Sequence, residues 1–153
     1  MNQAPTVELR GALTTELDTV AELWRSSASL PGVFPPVMPT LQELRARLDN
    51  ELASGWKLTL AIREGEVVGM LALKPAISVL DQLFVRPSHI GTGVGKILLH
   101  HAKIEMPDGF TLHTSSTNQH ARLFYEKEGL AFLREGRHPR SGHPVSYYGW
   151  KIR

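Results

Sequence analysis

Between residues 83 and 99 the chain reads Leu83-Phe84-Val85-Arg86-Pro87-Ser88-His89-Ile90-Gly91-Thr92-Gly93-Val94-Gly95-Lys96-Ile97-Leu98-Leu99. This is a β-rich run, a proline turn, three alternate glycines and then apolar residues at helical spacing. The first N–H groups of a helix have no partner inside it, and the macrodipole there favours negative charge, so the arrangement is a cradle for phosphate. A plain tight turn is the other reading of such a segment, and the spacing sorts the ligands. A P-loop needs GxxxxGK[ST]; Ile90 stands five residues before Gly95 and Ile97 follows Lys96, so the hydroxyl that would hold magnesium is missing. A dinucleotide fingerprint needs GxGxxG with an acidic residue about 20 positions on. Here the glycines run GxGxG and the next strand-like run carries His113-Thr114.

Four further residues have types suited to chemistry. Asp81 lies on the strand-like run before the glycines, where it can act as a base or pair with a nearby cation. Tyr125 falls on an apolar helical face with Ala121 and Phe124, which suits core packing as well as proton donation. Asn118 stands where it would cap the helix it opens. His113 has a side chain whose natural pKa suits a proton relay. His100 and His101 are adjacent on a helix and face different ways, so they do not make a metal pair, and no other His, Asp or Glu spacing points to a metal.

Hydrophobic period defines the elements that must position these residues. Thr6–Arg10 alternates as a strand, and Leu13, Leu17, Val20, Ala21 and Trp24 follow at helical spacing with Thr14 or Thr15 placed to cap. Ser29–Pro39 holds four prolines and reads as an apolar loop. Thr40 with Glu43 forms a capping box for a helix that carries Leu41, Leu44, Leu48 and Leu52 and stops near Ser54-Gly55. Trp56–Arg63 and Val67–Leu73 flank the turn signal Glu64-Gly65, and Ile77–Val85 follows, which predicts an antiparallel meander. A helix runs from the glycines to about Glu105, a strand covers Phe110–Thr114, and a helix covers Asn118–Glu128 with Gly129 at its C-terminal stop. Leu130–Leu133 and Val145–Ile152 close the chain as strands. The predicted order is β-α-α-β-β-β-α-β-α-β-β: a mixed α/β (α+β) sheet of about seven strands with four helices.

The glycine window Ile90-Gly91-Thr92-Gly93-Val94-Gly95 resembles the phosphate-binding signature of the GNAT N-acetyltransferase superfamily, [Gln/Arg]-x-x-Gly-x-[Gly/Ala]. Asp81-Gln82-Leu83-Phe84-Val85-Arg86-Pro87 is similar to that family's central strand, which ends in Val-x-Pro. Asn118–Gly129, with Ala121 and Phe124-Tyr125-Glu126-Lys127, is similar to its Asn-x-x-Ala-x-x-(Phe/Leu)-Tyr-Glu-Lys-x-Gly segment. The resemblance implies the GNAT-like acyl-CoA N-acyltransferase fold over a single domain, residues 1–153. It also implies acetyl transfer from acetyl-CoA to a primary amine by direct attack in a ternary complex. Cofactor binding would fall to Leu83, Phe84, Val85, Ile90, Gly91, Thr92, Gly93, Val94, Gly95, Lys96, Asn118 and Tyr125, with Leu83 and Val85 offering backbone groups to the pantetheine arm. Tyr125 would protonate the departing sulfur, and Asp81 would serve as base or order a water. Ile90 departs from the signature, where Gln or Arg is favoured, which predicts weaker phosphate contact and motivates a second reading, a non-catalytic acyl-CoA binding or sensing module. In such folds Leu30–Pro39 and Arg134–Pro144 would frame the acceptor, expected to be a small amine, amino acid or peptide amine, and a homodimer through the C-terminal strands is a further expectation.

Composition bounds the rest. The 153 residues fit one domain, and their 17 basic against 15 acidic side chains leave net +2, which argues against bulk nucleic-acid or membrane-surface binding. Residues 1–76 carry net −2 and residues 77–153 net +4, placing an anionic ligand in the second half and giving faint support to a macromolecular acceptor, a protein amine or charged tRNA. Cysteine is absent, so no thiol nucleophile or cysteine metal site exists, and the expected location is the cytoplasm. No apolar run approaches the roughly 18 residues of a membrane span, and the start lacks a leader pattern.

Overall fold

The computed structural model of the protein describes residues 6–28 and 38–152. Its elements are β1 (Val7–Gly11), α1 (Leu17–Ala28), α2 (Leu41–Ala53), β2 (Lys57–Arg63), β3 (Glu66–Lys74), β4 (Val79–Val85), α3 (Val94–Glu105), β5 (Phe110–Ser115), α4 (Gln119–Lys127), β6 (Ala131–Arg137) and β7 (Pro144–Trp150). The order is the one that hydrophobic period predicts. Most of the apolar loop expected over 29–39 lies outside the described residues; its last two, Met38 and Pro39, are half-buried at the entry to α2.

Local chemistry accounts for the boundaries. Thr40 Oγ1 accepts the Glu43 N–H at 3.1 Å while Glu43 Oε1 accepts the Thr40 N–H at 3.2 Å, completing the capping box. The start of α1 differs from expectation: neither Thr14 nor Thr15 caps it. A 3-10 turn over Thr14–Glu16 precedes the helix, and the Glu16 carboxylate takes the Leu13 N–H at 2.9 Å. Arg10 holds that carboxylate by a two-pronged pair at 2.8 Å and lowers its pKa to about 2. Between β2 and β3, Glu64 and Gly65 have φ of +51° and +78°, as a type I′ hairpin turn requires.

The seven strands form one sheet in the order β1-β2-β3-β4-β5-β7-β6. All neighbours are antiparallel except β4 and β5, so β2, β3 and β4 form the expected meander. One face packs on α1 and α2, where Val20, Leu23, Trp24, Leu44 and Leu48 meet Leu58, Leu60, Met70 and Ala72. The other face packs on α3, where Val94, Leu98, Leu99 and Ala102 meet Ala61, Val68, Leu71 and Leu73. Each fully buried large side chain of this kind contributes about 1.5–3 kcal/mol.

Three bulges shift the alternation of the strands; on β6, Phe132 pairs Tyr148 and Arg134 pairs Tyr147, leaving Leu133 as the extra residue. Ile62 pairs Val67 and Ala61 pairs Gly69, leaving Val68 as the extra residue on β3. Leu73 pairs Leu80 and Ala72 pairs Gln82, leaving Asp81 as the extra residue on β4. β6 runs to Arg137, longer than its short apolar stretch predicts, because an edge strand tolerates the polar residues Arg134–Arg137 on both of its faces.

Candidate active site

The site begins where two strands part. β4 and β5 are joined at one parallel pair, Val79 with Thr111, and the Thr111 N–H donates to Ser78 O at 3.0 Å. Beyond that pair the strands splay, and a cleft of about 500 Å³ opens between Leu80–Val85 and Leu112–Ser115. The glycine turn closes one end of the cleft, and the β6–β7 loop, through His138 and His143, borders the other wall.

At the glycine end Pro87–His89 makes a 3-10 turn, after which Gly91 and Gly93 take φ of +84° and +91°. An L side chain rarely adopts that backbone, which is the physical reason for glycine here. The first bond of the α3 ladder runs from the Ile97 N–H to Gly93 O at 3.1 Å, so the amides of residues 94–96 face the open end of the helix. Lys96 is exposed on the cleft's rim, and Ile90, 40% exposed, offers no polar atom from its side chain. Two residues of the window have side chains with partners inside the protein. The Thr92 hydroxyl and N–H both donate to His89 O, at 2.5 and 3.3 Å, and the Val94 side chain is fully buried against the sheet.

Along β4 the main chain presents the ladder groups that an extended ligand pairs with. The Arg86 N–H reaches across to Val68 O at 2.7 Å, and alternation then turns the main-chain groups of Leu83 and Val85 toward the splayed side. Val85 O already accepts from the Ser27 hydroxyl at 3.1 Å, a contact that sequence alone does not reveal. Phe84 lies between them, packed toward α1 and α2.

α4 supplies the far wall. Asn118 caps it, its Oδ1 accepting the Ala121 N–H at 3.1 Å, and also borders the cleft. Tyr125 is the buried residue of α4 and lies 5.3 Å from Phe124 and 6.2 Å from Tyr148 between ring centroids. Burial pushes the Tyr125 pKa upward, so its phenol keeps its proton through neutral pH. Gly95 also adjoins Phe124: a Cβ there would stand at an ordinary 3.5 Å from Phe124 Cζ and from Val85 Cγ2.

The bulge carries Asp81 toward α2. Its Oδ2 accepts the Trp56 Nε1–H at 2.8 Å and lies 3.7 Å from Lys74 Nζ, so the carboxylate has the structural partners expected of one reading while still bordering the cleft. Across from it three imidazoles adjoin one another. His113 stands edge-on to His138 at 5.7 Å, and His138 stacks on His143 at 4.9 Å. The His138 Nδ1 accepts the N–H groups of Arg140 and Ser141 at 3.1 and 3.4 Å, which places the proton of the neutral ring on Nε2. Burial lowers the pKa of His113, against the pull of the Asp81 charge, and burial with the His143 charge lowers that of His138. Sequence reading singled out His113 alone as a relay; its meeting with the hairpin histidines depends on how β6 and β7 pair.

The Acetyltransferase (GNAT) family model matches residues 17–130. No curated protein matches the sequence significantly. Among solved structures, an acetyltransferase from Thermus thermophilus is 20% identical with a TM-score of 0.78, over 95% of this chain and 96% of its own. A ribosomal-protein-alanine N-acetyltransferase from Brucella melitensis is 15% identical with a TM-score of 0.73, over 95% of this chain and 99% of its own. The Salmonella typhimurium protein yncA, solved with its cofactor acetyl-CoA, is 13% identical with a TM-score of 0.72, over 95% of this chain and 93% of its own. The chain belongs to the GNAT acetyltransferase family. It is a GNAT-type acyltransferase built on the acyl-CoA N-acyltransferase fold.

Proposed function

We propose that the protein transfers the acetyl group of acetyl-CoA to a primary amine by direct attack within a ternary complex. The observation that carries this is the splay of β4 from β5, which joins the amide-rich start of α3 to Tyr125, Asp81 and His113 in one cleft. The residues present suit acetyl-CoA. The amides of residues 94–96 with Gly91 and Gly93 suit a pyrophosphate, Lys96 adds charge at the rim, and Leu83 with the Val85 N–H suits the amides of a pantetheine arm. When bound, acetyl-CoA supplies an activated thioester.

The chain's own groups then divide the proton work. Tyr125, kept neutral by its burial, gives its proton to the sulfur that departs. An alkylammonium titrates near about 10, so a neighbour must take its proton before attack. Asp81 is the carboxylate beside the cleft for that purpose, directly or through an ordered water, and His113 is held neutral at its side. Asn118 borders the same space and holds α4 in register.

The non-catalytic reading rests on Ile90, whose apolar side chain stands at the cradle's rim. One measurement separates the two: thermal unfolding with acetyl-CoA, CoA, NAD and ATP, followed by thiol release over a panel of amines. A ligand at 100 times its dissociation constant adds about 2.7 kcal/mol and raises the midpoint by roughly 5 °C or more. The expected result is a shift with both CoA forms together with amine-dependent thiol release. A shift without release from any amine supports the binding module, and no shift with either CoA form overturns both readings.

A further inference from the structure

We propose that Arg47 of α2 forms the carboxylate-binding part of the acceptor site, so that the favoured acceptors are amines that also carry a carboxylate, as amino acids do. The inference rests on the transferase reading and names its substrate class. Arg47 lies over the Trp24 ring at 5.1 Å, Trp24 meets Trp56 at 5.5 Å, and the Trp56 indole N–H holds Asp81 at 2.8 Å. The Arg47 charge also feels those of Asp81, Glu51 and Arg140, so the guanidinium belongs to the group of charges around the carboxylate that borders the cleft.

Two donors in this group lack an acceptor. Arg47 Nε and Trp24 Nε1 are both buried without a hydrogen-bond partner among the described residues. A buried donor left without a partner keeps its full desolvation cost, so a pair of them at one place calls for a missing acceptor. The neighbouring acids are committed elsewhere. Glu51 takes Lys74 at 3.4 Å and Arg140 at 3.9 Å, and Asp81 takes Lys74 at 3.7 Å besides the Trp56 N–H. Three cations, Arg47, Lys74 and Arg140, thus face two carboxylates. A third carboxylate would balance the charge, and its two oxygens match the planar fork of a guanidinium fixed against an indole. The burial that lowers the Arg47 pKa, helped by the Arg140 charge, agrees with a cation short of counter-charge.

The test uses the full chain with CoA bound, and L-α-amino acids paired with their carboxamides as probes. Tryptophan fluorescence reads binding, and thiol release from acetyl-CoA reads turnover. The expected result is a carboxylate-over-carboxamide preference of at least about tenfold, seen in affinity and in KM rather than kcat, as a charge-assisted bond supplies. Arg47→Met should reduce that ratio to about one, and Arg47→Lys, which keeps the charge and loses the fork, should restore part of it. Arg47→Met keeps an unbranched apolar stem beside Trp24 and removes a donor that has no partner, so a lost ratio with an unchanged CoA-induced thermal shift reports the subsite. Turnover on amines with no carboxylate preference, or a preference that survives Arg47→Met, overturns the proposal and leaves the transferase reading standing. Carboxylate-dependent binding that Arg47→Met removes, without turnover on any amine, supports the subsite and overturns the transferase reading.

Discussion

The Trp56 indole N–H donates to Asp81 Oδ2 at 2.8 Å, tying the residue before β2 to the extra residue of the β4 bulge. The bond fixes which way the bulge points its carboxylate. Trp56→Phe keeps an aromatic ring against Trp24 and removes the donor. We expect a stability loss of about 1–3 kcal/mol, read by chemical denaturation, and a lower kcat with CoA affinity retained. Unaltered turnover would show that the orientation of Asp81 does not matter to the reaction.

Tyr125→Phe removes one oxygen from a buried ring and leaves its packing on Phe124 and Tyr148 in place. With Tyr125 proposed as the proton donor to the leaving sulfur, loss of its hydroxyl should lower kcat by about 10²- to 10⁴-fold while the CoA-induced thermal shift stays the same. A free phenol ionises near about 10. Since burial raises the Tyr125 pKa, the wild-type protein should show no alkaline fall in turnover from this group until well above that value.

Burial lowers the pKa of His113 and of His138. An unfolded histidine titrates near about 6.5, so below that pH the unfolded chain takes up protons that the folded chain resists. Their contribution is therefore fully present above about pH 6.5 and is lost as pH falls through the lowered native values. Unfolding midpoints measured across this range should drop in wild type and drop less in a His113→Gln, His138→Gln double variant. Equal slopes in the two proteins would count against neutral histidines at the cleft.

Three glycine substitutions separate packing from backbone conformation. A Cβ at Gly69 would come within 2.9 Å of Leu98 Cδ1 and 3.0 Å of Val94 Cγ1, so Gly69→Ala should cost about 1–3 kcal/mol by overpacking the β3–α3 contact. At Gly93 a Cβ meets nothing within 4 Å, yet φ is +91°, and Gly93→Ala should cost about 1–2 kcal/mol from the backbone alone and weaken CoA binding. Gly95→Ala, with its nearest contacts at an ordinary 3.5 Å, should fold at least as well as wild type. Thermal unfolding with and without CoA reads all three.

Much of this architecture was legible in the sequence because it rests on period and punctuation. Thr40 with Glu43, Glu64-Gly65 and the glycines before α3 each act on their immediate neighbours, and each stands in the structure as its local chemistry requires. What escaped was set by distant partners. The bulge at Asp81 leaves no mark on alternation, since one inserted residue only transfers the pattern to the other face. Arg47 falls between Leu44 and Leu48 in a helix whose polar positions all read as solvated, and only the fold brings it onto Trp24. Thr14 and Thr15 do not cap α1 because both lie inside the 3-10 turn before it, where Glu16, anchored by Arg10, reaches back to the Leu13 N–H. His138 and His143 are separated by a loop, and their stacking depends on that loop's closure, in which the His138 N–H donates to His143 O at 2.9 Å.

The insertion of β7 between β5 and β6 carries a consequence for the order of assembly. β1 to β4 pair with neighbours adjacent in sequence, and a growing chain can join them as they emerge. β5 cannot finish so early. Its parallel join to β4 is the single pair Val79 with Thr111, while its six antiparallel pairs, Phe110 with Trp150 through Ser115 with Val145, wait for residues some 30 to 40 positions later. On the ribosome, the β5 wall of the cleft therefore stays without most of its ladder until residue 150 has cleared the exit tunnel, long after the first four strands can pair.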